Sequence, residues 1–142
     1  MSQTRPLDSS DNPVILIIED DLTGLYLWQR YTLRAGLRMV SANSMEEAVN
    51  LTHSHRPVLV VLDFSPPSSK WKEILRTLKS NPVTKNTPVW VCSAVEDELL
   101  EFAKEADGYL RKPVLYVDFL TALISTGVNK FAKNLGGEVD RK

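Results

Sequence analysis

Two stretches of the chain are apolar without alternation: VILII, Val14 to Ile18, and VLVVL, Val58 to Leu62. Alternation would mark a strand with one wet face, so unbroken runs of this length predict strands buried on both faces. LRMVSA (37–42), TPVWVCSA (87–94) and DGYLR (107–111) predict three further strands. Between them the spacing becomes helical. From Leu22 to Ala35, apolar residues fall at Leu22, Leu25, Tyr26, Trp28, Leu33 and Ala35, and Gly36 ends the run. NSMEEAVNLTHSH (43–55) opens with a capping box, Ser44 followed three positions on by Glu47. Its apolar face is thin (Met45, Ala48, Val49, Thr52), which predicts a helix lying on the surface. SSKWKEILRTLKS (68–80) sets Trp71, Ile74, Leu75 and Leu78 on one face, and VEDELLEFAKEA (95–106) and VLYVDFLTALIST (114–126) predict the last two helices. A strand followed by a helix, five times over, predicts a doubly wound parallel sheet with helices on both faces.

The pattern places one domain over 13–126. A polar tail is expected at 1–12, and 127–142 is either a loose tail or an extension of the last helix. The extension is suggested by Leu120, Leu123, Ile124, Val128, Phe131 and Leu135, which recur at helical spacing across Gly127; such a stripe would pack on its own domain or on a second copy. The size and composition, 142 residues, 43% hydrophobic and 25% charged, suit a single core. With 17 basic and 18 acidic residues, the chain lacks the basic excess of a nucleic-acid surface. The apolar runs fall far short of a membrane span, and the first residues have no apolar signal core. One cysteine, Cys92, excludes an internal disulfide, and the expected compartment is the cytoplasm.

In an open parallel sheet, ligands bind beyond the carboxyl ends of the strands. Glu19, Asp20 and Asp21 end the first strand, Asp63 the third, Ser93 and Ala94 the fourth, Lys112 and Pro113 the fifth. Carboxylates gathered this closely repel one another. A hard divalent cation removes the conflict, and Mg²⁺ would take oxygens from Asp20 and Asp63, a loop carbonyl and waters. A carboxylate beside Mg²⁺ and Lys112 is also a nucleophile suited to a phosphoryl group.

Taken in order, IIEDD, VVLDFSPP, VWVCSA and ADGYLRKP resemble the receiver domain of two-component response regulators, over roughly residues 13–126. The resemblance implies a flavodoxin-like (βα)5 fold and a phosphoacceptor signalling domain rather than an enzyme. It implies that Asp63 accepts the phosphoryl group from a histidine kinase or phosphotransfer protein. Glu19 and Asp20 become the acidic pair, with Asp20 on Mg²⁺ and Glu19 acting largely through water; the Ser65 carbonyl becomes the loop ligand. Ser93 stands at the switch hydroxyl, Ala94 at the small residue beside it, Tyr109 at the aromatic that changes rotamer, and Lys112 at the lysine that pairs with the phosphoryl oxygens. The Lys112–Pro113 bond is expected to be cis.

Three departures touch the signalling face. SSKW follows Pro67 where the family often has Asp-Gly, Glu105 replaces a glycine, and the segment from Ser93 to Tyr109 is about three residues short, nearly one helical turn. They predict a shortened fourth helix and leave a docking module with little phosphorylation as the alternative function. A nucleotide- or flavin-binding enzyme would want a glycine-rich phosphate loop where EDDLTG stands. Simpler roles compete residue by residue: Asp21 as a helix cap, Asp63 as a turn residue, Ser93 bonded to backbone, Tyr109 in the core, Lys112 in solvent, and Trp28, Trp71 and Trp90 as packing alone. The output is expected to be a protein target of a single-domain regulator, with weak self-association and no direct contact with nucleic acid or membrane.

Overall fold

A computed structural model of the chain describes residues 12–19, 21–63, 69–102 and 104–127. Asp20, residues 64–68 (Ser65 among them), residue 103 and both chain ends lie outside that set. Strands β1 (Val14–Ile18), β2 (Arg38–Ala42), β3 (Leu59–Asp63), β4 (Val89–Ser93) and β5 (Gly108–Arg111) pair in parallel in the order β2-β1-β3-β4-β5. The helices are α1 (Leu22–Arg34), α2 (Met45–His55), α3 (Ser69–Ser80), α4 (Glu96–Phe102) and α5 (Tyr116–Ile124).

Both buried faces of the sheet are real. Successive strand residues point to opposite sides. Ile15, Ile17, Val61, Cys92 and Leu110 meet Trp28 of α1 and Phe119, Leu120 and Leu123 of α5. Leu16, Ile18, Val60, Leu62, Val89 and Val91 meet Ala48 of α2 and Trp71, Ile74, Leu75 and Leu78 of α3. This explains why VILII and VLVVL do not alternate: every position has a helix over it. The chain runs outward from β1 to β2, then returns past β1 to β3, so the carboxyl ends of β1 and β3 flank the crevice where the winding reverses.

Both ends of α1 and the start of α2 follow the sequence signals. The Asp21 side chain caps α1, accepting from Thr23 N–H at 2.9 Å, and Gly36 takes a φ of +79° beyond its end. Ser44 Oγ accepts from Glu47 N–H at 3.2 Å, capping α2, while the Glu47 carboxylate accepts at 3.1 Å from the N–H of Asn43, the residue before the cap, rather than from Ser44 as a complete box would have it.

Two helices end before the pattern predicts. Within the expected 95–106 segment, α4 covers Glu96–Phe102, and residues 104–107 are turn and bend. Past that point, contacts to other elements take over the chain. Glu105 pairs with Arg76 of α3, and the Asp107 carboxylate accepts from Val89 N–H at 2.7 Å and from Lys79 Nζ at 2.8 Å. These tie the segment before β5 to α3 and β4. The last helix ends at Ile124, and Ser125, Thr126 and Gly127 form a turn, with Gly127 at φ +84°; the rest of the expected extension lies outside the described residues. Phe131 and Leu135 lie outside the described residues.

Candidate functional site

Asp63, the last residue of β3, is a carboxylate at the edge of an apolar sheet and is only 3% exposed. Such a charge requires partners. Among the described residues two are present, from opposite ends of the chain. Lys112 Nζ, just beyond β5, lies 2.7 Å from Oδ1, an ion-pair distance without the angles of a hydrogen bond. Trp28 Nε1–H, on the inner face of α1, donates to Oδ2 at 2.6 Å. Burial works against the Lys112 ammonium, but the Asp63 carboxylate outweighs it and holds the lysine pKa above its usual value. The lysine backbone is fixed as well: its N–H donates to Ser93 O at 3.0 Å, and the Lys112–Pro113 bond is cis as expected.

Glu19 follows β1 and is 7% exposed. Its Oε2 accepts from Asp21 N–H at 3.3 Å, whereas Oε1 is buried without a hydrogen bond. Burial first, and then the neighbouring Asp63, push its pKa up to about 9, against a smaller opposing pull from Lys112. Without a cation, the pair relieves its repulsion by keeping a proton on Glu19. Among the described residues, the buried side-chain oxygens that lack hydrogen bonds, Glu19 Oε1 and Asp63 Oδ1, both belong to this pair of interacting carboxyls, and a pair of carboxyls is chemistry that fits a hard divalent cation. Asp20 and Ser65, the other two expected Mg²⁺ ligands, fall outside the described residues, and the described residues alone contain no cluster of three ligating side chains.

Ser93 is buried at the end of β4, and its Oγ accepts from Val95 N–H at 3.0 Å, so the backbone-bonding role is present in this state. Tyr109 is 47% exposed, which removes it from the core. Asp21 is the cap described above. Cys92 pairs in register with Asp63 and is fully buried, and burial pushes its thiol pKa up.

Trp28 corrects the reading of all three tryptophans as packing alone. It does pack, at 1% exposure, but its indole also holds the central carboxylate. A buried indole N–H needs an acceptor, which is the one signal the sequence offered; periodicity marked the residue as inward-facing but not what it would reach. Gly24 was also missed. A Cβ there would sit 2.5 Å from Glu19 Oε1, so the glycine makes room for that carboxyl.

The chain matches the family described as the response regulator receiver domain over residues 15–124. It is 24% identical over 116 residues to the polar-differentiation response regulator DivK of Brucella anthropi, covering 78% of this chain and 93% of that protein. It is 30% identical over 105 residues to the transcriptional regulatory protein AfsQ1 of Streptomyces coelicolor, covering 72% of this chain but 45% of the relative. The chain thus spans less than half the length of the transcriptional regulators it matches. Among solved structures, the receiver domain of the sensor histidine kinase PA1611 from Pseudomonas aeruginosa, which has a magnesium ion in its active site cleft, superposes with a TM-score of 0.69 at 17% identity, covering 82% of this chain and 99% of that one. At that identity the superposition speaks for the fold.

Proposed function

The chain belongs to the response regulator receiver family, and we propose that Asp63 is its phosphoacceptor, served by a histidine kinase or phosphotransfer protein, with Mg²⁺ held by Glu19, Asp20, Asp63 and the Ser65 carbonyl. The observation that carries this reading is a buried carboxylate whose Oδ1 has no hydrogen bond and sits 2.7 Å from an ammonium. An electron pair on Oδ1 forms the new bond to phosphorus of a phosphohistidine; the P–N bond breaks and its pair leaves with the imidazole, which takes up a proton. Lys112 moves from the carboxylate to the phosphoryl oxygens as they collect charge there. When bound, Mg²⁺ neutralises the carboxylates and those same oxygens.

The phosphoryl group adds about −1.5 to −2 charge to the site. On this reading Ser93 exchanges its bond to Val95 N–H for one to the phosphoryl group, and Tyr109, already at the surface, changes rotamer with it. The output is a protein-binding surface near α4 and β5, and weak pairing of two copies is part of the same reading.

The docking-module alternative draws on α4, which has seven residues and is tied to its neighbours by the ion pairs Lys72–Glu101 and Arg111–Glu96. Incubation with acetyl phosphate and Mg²⁺, followed by intact mass measurement, separates the two. A gain of one phosphoryl group that Asp63→Asn abolishes is the expected result. No gain in the wild type would favour the docking module, and a gain surviving in Asp63→Asn would move the acceptor elsewhere.

A further inference from the structure

Asp63 and Trp28 lie 35 residues apart in the chain, yet the indole N–H meets Oδ2 at 2.6 Å, and both side chains are buried. Trp28 is itself held in place. Its ring meets Tyr31 edge-on at 6.4 Å and Phe119 at 6.0 Å between centroids, and Tyr31 O–H donates to Val114 O at 2.6 Å, two residues beyond Lys112. The donor therefore cannot follow Oδ2 freely when the chemistry of Asp63 changes.

That chemistry changes the charge on Oδ2. In the free carboxylate, Oδ2 shares a full negative charge and the hydrogen bond is charge-assisted. Once Oδ1 carries phosphorus, Oδ2 is the carbonyl oxygen of a neutral acyl group, and a hydrogen bond to it is roughly half as strong. We propose that Trp28 sets the lifetime of the phosphorylated state, its indole N–H stabilising the carboxylate that leaves when the aspartyl phosphate is hydrolysed. This rests on Asp63 being the phosphoacceptor and adds a regulator of that same site. In hydrolysis, a water oxygen bonds to phosphorus and the P–Oδ1 bond breaks, its electron pair returning to the carboxylate. The water proton leaves with inorganic phosphate or solvent. Charge develops on Oδ2 as that bond breaks, and a fixed donor aimed at developing charge lowers the barrier. The same donor favours the unphosphorylated protein at equilibrium, because binding free energies are reciprocal.

The test uses the full chain, phosphorylated with acetyl phosphate and Mg²⁺, rapidly desalted, with decay followed by intact mass. Trp28 is replaced by benzothienylalanine, which keeps the bicyclic shape and lacks the N–H, and separately by Phe. Loss of the donor lengthens the phosphoryl half-life about five-fold or more, the rate equivalent of roughly halving a charge-assisted bond. Phe119→Leu loosens the same aromatic cluster with the N–H intact and leaves the half-life within about two-fold. A readout independent of turnover is the Trp28 indole proton in heteronuclear NMR, which moves upfield in Asp63→Asn, where the acceptor is neutral. An unchanged half-life in the benzothienylalanine protein, equal lengthening by Phe119→Leu, or an indole proton indifferent to Asp63→Asn overturns the role of Trp28 while leaving the phosphoacceptor assignment standing. A wild-type chain that takes no phosphoryl group overturns both.

Discussion

Gly24, near the start of α1, lies against the Glu19 carboxyl so closely that a Cβ on it would stand 2.5 Å from Oε1. Replacement by alanine separates fold from site. Alanine is a better helix former by about 1 kcal/mol, and the atom it meets is the far end of a flexible side chain. Gly24→Ala is expected to keep or slightly raise the melting temperature while displacing the carboxyl and weakening Mg²⁺ binding several-fold. Chemical-shift titration with Mg²⁺ reads the second effect; an unchanged affinity would remove Glu19 from the metal site.

The Glu19 proton has a consequence for stability. In the metal-free folded protein its pKa is raised to about 9 by burial and by Asp63, from an ordinary value of 4.5. Between those values the folded state holds a proton that the unfolded chain has released, so stability falls as pH rises through this window. Urea unfolding of the metal-free protein at several pH values checks it. Glu19→Gln, which cannot titrate, should flatten the slope, and an equal slope in both proteins would show that another group is responsible.

Lys112→Ala removes the counter-charge of a buried carboxylate but none of the proposed Mg²⁺ ligands. It should slow phosphorylation by acetyl phosphate and leave Mg²⁺-induced amide shifts near residues 19 and 63 in place. Unchanged phosphorylation kinetics would take Lys112 out of the mechanism.

Gly108 opens β5 with the Trp90 ring lying where its Cβ would be. A ring packed on the sheet cannot swing aside as a carboxyl can. Gly108→Ala is expected to cost about 1–3 kcal/mol, the usual range for overpacking, measured by chemical denaturation. A neutral result would mean that the ring repacks freely.

Asp107 and Arg76 both join ion pairs with neighbouring elements, but they are not equivalent. Asp107 also accepts from the Val89 backbone N–H, whereas the Arg76–Glu105 pair is exposed. Asp107→Ala should destabilise by about 1–2 kcal/mol through the orphaned N–H, and Arg76→Ala by less than about 0.5 kcal/mol. Equal losses would contradict this ranking.

The sequence by itself determined the layers of the fold and the edge where its chemistry gathers. Unbroken runs such as VILII and VLVVL are affordable only under helices on both faces, and a parallel sheet puts every strand's carboxyl end on one side. Glu19, Asp63, Ser93 and Lys112 could therefore be grouped without coordinates. Capping signals at Asp21, Ser44 and Gly36 were equally local, and they held. The tertiary structure decided what depends on distance and burial between remote segments. Helical spacing runs through VEDELLEFAKEA and across Gly127, but Glu105 and Asp107 are tied to neighbouring elements and Ser125–Gly127 form a turn, contacts and angles that spacing does not reveal. The proton on Glu19 follows from desolvation, which no spacing reveals. The partner of the Trp28 indole is a carboxylate 35 residues away, brought within 2.6 Å only when α1 packs across the end of β3. Periodicity states which way a side chain faces; only the packed elements fix which polar atom waits there.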